Sequence, residues 1–290
     1  MLELPPQIAS KEEAEIISEA GKATLIASGS FMSANFVISW LLSASLSLIW
    51  NMLNSLQISV HAPMFGKLKF PANAMILNQS LITIANFSLF ATEEEIDPLI
   101  YYLPEDEAFN INFDQCGYGA KLLLLNISMV VWMLTVNIAF MLILGLTWLI
   151  NRRTGKLVSC KGKLSGYFFW NGLIRLFMEI FFEVAFASSL NLYIVDWDTP
   201  FAAVKFSNIL SLLFFITSIV ISLLLIVFYA KNLGRVDDES FDSRFGAGLE
   251  GTNLKKANDR WSILVYLVFF LGRRIAFIAS VILLDHFLWA

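Results

Sequence analysis

Tyr167 to Leu192 reads YFFWNGLIRLFMEIFFEVAFASSLNL, and this stretch decides the fold. A helix of about 20 predominantly apolar residues crosses the hydrocarbon core of a bilayer, because in lipid only helices and closed barrels satisfy their own backbone. The run is long enough, and its polar residues fall in register. Asn171, Arg175, Glu179 and Glu183 follow one another at i, i+4 steps and so form one stripe along a Phe-rich helix. An ionisable side chain at the centre of a spanning helix costs roughly 2.5 to 3.5 kcal/mol on insertion scales, so such a stripe faces protein or water rather than lipid. The helix therefore belongs to a bundle.

The rest of the chain supplies the bundle. Of 290 residues, 57% are hydrophobic and 15% charged, too few charges to clothe a water-soluble domain. Four further stretches are long and apolar enough to span: about Ala23–Trp50, Gly119–Ile150, Phe206–Tyr229 and Trp261–Leu284. The expected fold is all-α, a polytopic transmembrane helical bundle of about five spans (23–50, 119–150, 167–192, 206–229 and 261–284) within a transmembrane domain of residues 23–285. The first span is rich in Ser28, Gly29, Ser33, Ser43 and Ser45, small residues that let helices approach closely. Residues 70–90 open with Pro71 and are interrupted by Asn73, Asn78, Gln79, Ser80 and Asn86, which reads as an interfacial or re-entrant segment. Residues 1–22 are polar, lack the apolar stretch of a secretory signal, and read as an amphipathic lead-in opened by a Ser10–Glu13 capping box.

Charge placement orients the spans. The loop Ala91–Tyr118 carries eight acids and no base, whereas Asn151–Lys163 carries five bases and no acid. The positive-inside rule puts the second loop in the cytoplasm and the first outside. Alternation then gives a cytoplasmic N-terminus, an external excursion over 51–118, and a flexible cytoplasmic loop over 230–260. Asn78 and Asn86 open N-x-S/T sequons in the external excursion and are candidate glycosylation sites. The eight acids could attract cations, but a solvated loop explains them as well. Trp50, Trp148, Trp170, Tyr193, Trp197, Tyr229 and Trp261 lie near span ends, as an interfacial belt requires. The chain stops at Phe287–Ala290, at the outer end of the fifth span, so a fragment of a longer protein is expected, a natural end being the alternative.

The fifth span places Arg273 and Arg274 near its middle, at a depth similar to Glu179 if both helices run outward. An interhelical ion pair is expected there, and adjacent residues point about 100° apart on a helix. One arginine would meet the carboxylates while the other snorkels or faces a water cavity. Such a pair is either a structural clasp or part of a permeation, gating or lipid-headgroup site. No GxSxG, HExxH, phosphate-loop or dinucleotide-binding pattern is present, and Cys116, Cys160, His61 and His286 lie too far apart for a zinc pattern. No enzyme, cofactor or metal is expected. A formal charge of −4 argues against a nucleic-acid partner, which leaves the lipid bilayer and, as an open case, a second copy of the chain.

The strings FWNGLIRLFMEIFFEVAFASSLNL (Phe169–Leu192) and LVFFLGRRIAFIASVILL (Leu267–Leu284) resemble a pair in the C-terminal regions of large ciliate membrane proteins. Those regions are similar in turn to the TRP-like (transient receptor potential-like) family. NMLNSLQISVHAPMF (Asn51–Phe65), PANAMILNQSLITIANF (Pro71–Phe87) and NINFDQCGYG (Asn110–Gly119) resemble the ciliate version too. The resemblance implies a TRP-like plasma-membrane domain involved in cation transport, and it supplies no selectivity filter. The alternative is a membrane anchor or receptor-like scaffold for a large extracellular region, with the intramembrane charges serving helix packing only.

Overall fold

The computed structural model describes residues 56–65, 107–154, 170–249 and 261–287, with isolated positions at 19 and between 71 and 82. The expected first span, most of segment 70–90, the loop 155–163 and Asn86 lie outside the described residues. Among the described residues the chain is helical, with no strand. Its α-helices are α1 (Ile111–Gln115), α2 (Leu123–Asn126), α3 (Ser128–Thr154), α4 (Gly172–Tyr193), α5 (Ala202–Asn232), α6 (Glu239–Phe245) and α7 (Trp261–Phe287). Short 3-10 turns lie at Ala62–Met64, Leu233–Arg235 and Gly246–Leu249.

The stretch that decides the fold in sequence is also its centre. α4 packs against α2, α3, α5, α7 and the Gly246–Leu249 turn. Its buried residues include Phe181, Phe182, Phe186 and Leu190 together with Glu179, Glu183, Ser188 and Asn191.

α5 shows why the surrounding helices suit lipid. Its buried residues include Ser207, Ser211, Ser218, Ser222 and Tyr229, at alternating steps of four and seven. Its outward face carries Phe206, Ile209, Leu213, Ile216, Leu223 and Leu224, the last 61% exposed. Small residues inside and large apolar residues outside invert the pattern of a water-soluble helix and match a membrane one. Two of the inward hydroxyls bond back to their own helix, Ser211 donating to the Ser207 carbonyl at 2.8 Å and Ser222 to the Ser218 carbonyl at 2.7 Å. α7 likewise exposes Val265, Val268, Phe269 and Ile275. Two stretches, Ala202–Arg235 and Trp261–Leu283, are long and apolar enough to cross a membrane.

Several elements differ from the sequence expectation. The expected span from Gly119 begins helically only at Leu123 and breaks at Ile127. Asn126 accounts for the interruption locally, since its amide donates backwards to the carbonyls of Ala120 (2.7 Å) and Leu122 (3.2 Å). The connection after α5, expected to be flexible, is folded through Leu249. Phe228, Phe241 and Phe245 form an aromatic cluster with Trp170, and Ala247, Gly248 and Leu249 are buried. Gly248 is there for close approach, because a Cβ would collide with the Tyr229 ring. Tyr229 leaves the expected aromatic belt for the same reason. It is buried and its hydroxyl donates to the Phe245 carbonyl at 2.5 Å, whereas Trp148, Trp170, Trp197 and Trp261 are exposed.

Candidate functional site: a column of buried polar groups on α4

At the basic-loop end of α4, Asn171 is buried and its Oδ1 accepts from the Ala247 backbone N–H at 2.8 Å. This bond ties the folded connection after α5 to the start of α4. Arg175, one turn further on, is half-buried.

The next level joins α4 to α7 through residues 56–60, which are helical. Glu179 is 4% exposed and Arg274 0% exposed, and their charges interact. Arg274 also donates from Nη2 to Gln57 Oε1 at 3.1 Å, and its guanidinium lies 3.8 Å from the centre of the Phe270 ring. Gln57 is buried and its amide donates to the Glu179 carbonyl at 3.4 Å. Gln57 thus bridges the two helices, and a buried guanidinium is surrounded by an acid, an amide oxygen and a π face. Arg273 points elsewhere and is exposed.

One turn beyond Glu179, Glu183 Oε2 accepts the Tyr118 hydroxyl at 2.7 Å, while Glu183 Oε1 is buried and accepts no hydrogen bond. His61 packs beside this pair, its ring centre 4.9 Å from that of Phe182 and 5.8 Å from that of Tyr118. Its Nδ1 is bonded to the Gln57 carbonyl, and Nε2 is buried without a hydrogen-bond partner. Tyr118 reaches this depth by way of a local turn. Asn110 caps α1 by accepting from the N–H groups of Asn112 (2.9 Å) and Phe113 (3.1 Å), and Gly117 reverses the chain at φ 83°. Cys116, in the same turn, is buried and unpaired by disulfide, and burial pushes its thiol up to about 12.

The column ends in a network absent from the sequence expectation. Asn191 Oδ1 accepts from the Leu123 N–H (2.8 Å) and the Ser207 hydroxyl (2.7 Å), and its amide donates to Asn208 Oδ1 (2.7 Å). Asn208 in turn donates to the Asp196 carbonyl at 2.8 Å. One buried side chain therefore holds α2, α4 and α5 together. A signal for it exists. Continuing the stripe from Glu183 by two i+4 steps passes Ala187 and arrives at Asn191. Gln57 and His61 share that spacing, whereas nothing local marks Tyr118.

Of the two candidate glycosylation sites, Asn78 is half-buried and its side-chain nitrogen donates to the Val60 carbonyl at 2.6 Å. Among the described residues no group of three His, Cys, Asp or Glu is placed to hold a metal ion. Comparison of the chain with protein-family models, curated proteins and solved structures returned no match.

Proposed function

We propose that this chain is an integral membrane domain of about five spans with a cytoplasmic N-terminus, serving as an anchor or scaffold whose intramembrane charges hold the helices in register. The observation that carries the reading is the burial of Glu179 and Arg274 at one level, joined through Gln57, which accepts from Arg274 and donates to the Glu179 carbonyl. A buried charge retained with protein partners is best understood as a device that fixes register between helices. The inverted surface of α5 supports the membrane location, and the acidic and basic loops support the orientation.

Alkaline carbonate extraction of membranes expressing the chain tests the location, and accessibility of cysteines introduced singly into 91–118 and 151–163 tests the orientation. Retention in the pellet, with the acidic loop labelled from outside and the basic loop only after permeabilisation, is the expected result. Release into the supernatant would overturn the membrane reading.

TRP-like cation transport is the second reading, and Glu183 favours it. A buried carboxylate oxygen with no hydrogen-bond donor offers a ligand for water or a cation. Whole-cell recording with Glu183→Gln decides between the two. A current whose selectivity changes in the variant supports transport, and no current, or one indifferent to Glu183, removes it.

A further inference from the structure

Arg273 is the charge the column does not use. It is exposed near the middle of Trp261–Leu283, about 18 Å from Trp261 and about 15 Å from Leu283 at 1.5 Å per residue. It lines an open groove of about 500 Å³ between α7 and residues 58–65, whose other walls are Ile58, Ser59, Phe65, Ala276, Phe277 and Ser280. That volume falls within the roughly 300 to 1,000 Å³ typical of ligand sites.

An exposed guanidinium at this depth attracts an anion, and among the described residues no spanning helix places a carboxylate beside it. α3 contains no carboxylate, nor do α5 and the expected first span, both α4 carboxylates are buried facing the column, and Asp285 of α7 lies twelve residues, about 18 Å, further along its own helix. A second copy packing through this same face would bring another Arg273 and no counter-charge. The phosphates of two-chain lipids sit outside a hydrocarbon core about 30 Å thick, at the ends of the helix rather than at its middle. The occupant must bring its anionic head to mid-depth and tolerate apolar walls around its tail.

On the membrane reading above, we infer that the Arg273 groove binds a single-chain anionic amphiphile, a fatty carboxylate. The head would sit on Arg273, with the chain along Phe65, Ala276 and Phe277. The carboxylate accepts charge-assisted hydrogen bonds from the guanidinium, and the aromatic and alkyl walls exclude water from the tail.

The test uses the full chain, purified into nanodiscs of zwitterionic lipid, with radiolabelled oleate as probe and oleyl alcohol as the uncharged control. Incorporation into nanodiscs is scored separately, so a failure of the membrane reading is distinguishable from a failure to bind. Oleate should bind saturably and better than the alcohol, and Arg273→Ala should weaken it by at least about tenfold through loss of the charge-assisted pair. Arg273→Lys should retain part of the affinity, and Ser280→Leu, which fills the groove while keeping the charge, should weaken oleate as well. Equal binding of oleate and alcohol, oleate binding indifferent to Arg273→Ala, or preference for a two-chain anionic lipid would each overturn the inference. Loss of a dimer in Arg273→Ala without loss of oleate binding would also overturn it.

Discussion

Tyr118 and Glu183, 65 residues apart in the chain, meet through a 2.7 Å hydrogen bond in which the phenol donates to the carboxylate Oε2. The bond fastens the turn after α1 to the middle of the central helix. Tyr118 is 1% exposed, so its hydroxyl cannot exchange the carboxylate for bulk water. Tyr118→Phe should destabilise the fold by about 0.6 to 2 kcal/mol, the range for side-chain hydrogen bonds within membrane proteins. Thermal unfolding in detergent of Tyr118→Phe, Glu183→Gln and the double variant checks this. The two changes should be non-additive, and additive losses would show that the bond contributes nothing of its own.

Asn191 should be the most sensitive uncharged position on α4. Asn191→Leu removes the acceptor for the Leu123 N–H and Ser207 and the donor to Asn208, leaving three buried groups unsatisfied. Asn191→Asp keeps the acceptor but replaces the donor by a carboxylate oxygen facing Asn208 Oδ1 and adds a charge. Expression and thermal stability should therefore rank wild type, then Asp, then Leu. An Asp variant as damaged as Leu would mean that charge burial, not loss of the network, dominates.

The register of α4 was legible because a helix repeats every 3.6 residues, so a stripe at i, i+4 names its own buried face. Asn171, Glu179 and Glu183 are buried on that face, and the same rule extended two steps would have reached Asn191. What the spacing leaves open is which partner meets each group. Arg273 and Arg274 are neighbours in sequence, and only the rotation of α7 against α4 selects Arg274. Tyr118 was illegible for a different reason. It owes its place to a reversal at Gly117, and its partner is fixed by tertiary packing rather than by any local period.

Cys116 gives a prediction with a defined pH window. Burial raises its thiol from an ordinary value of 9.0 to about 12, and its Sγ faces the Val60 carbonyl at 3.8 Å. The folded state holds the proton more tightly than the unfolded one, so this contribution is intact below about 9 and is lost as pH rises towards about 12. In a Cys160→Ser background, maleimide labelling of Cys116 should be slow in the folded protein and should rise little between pH 7 and 9. Denaturant should release it. Rapid labelling of the folded protein at neutral pH would contradict the burial of this turn.

The contact between Gly248 and Tyr229 makes the folded connection testable. Gly248→Ala places a Cβ against the Tyr229 ring and should break the bond from Tyr229 to the Phe245 carbonyl. Protease sensitivity within 233–249 should rise in Gly248→Ala, and Tyr229→Leu combined with it should be better protected than the sum of the single variants predicts. A Gly248→Ala protein as resistant as wild type would mean that the connection can shift without cost.

Arg274 and Arg273 should behave oppositely although they are adjacent. Breaking a buried charge pair from one side leaves the other charge uncompensated and costs about 3 to 5 kcal/mol, whereas an exposed arginine carries no such load. Arg274→Met should therefore abolish or strongly reduce folded protein, and Arg273→Met should leave it near the wild-type level. Exchange sharpens the assignment. Arg274→Glu with Glu179→Arg should recover part of what each single variant loses, because the two charges interact across α4 and α7. Arg273→Glu with Glu179→Arg should recover nothing, since Arg273 lies on the exposed side of the helix. Size-exclusion profiles of fluorescently tagged protein read all of these variants. Rescue by the Arg273 exchange and not by the Arg274 exchange would require α7 to be rotated by about 100°, one residue's step on the helix.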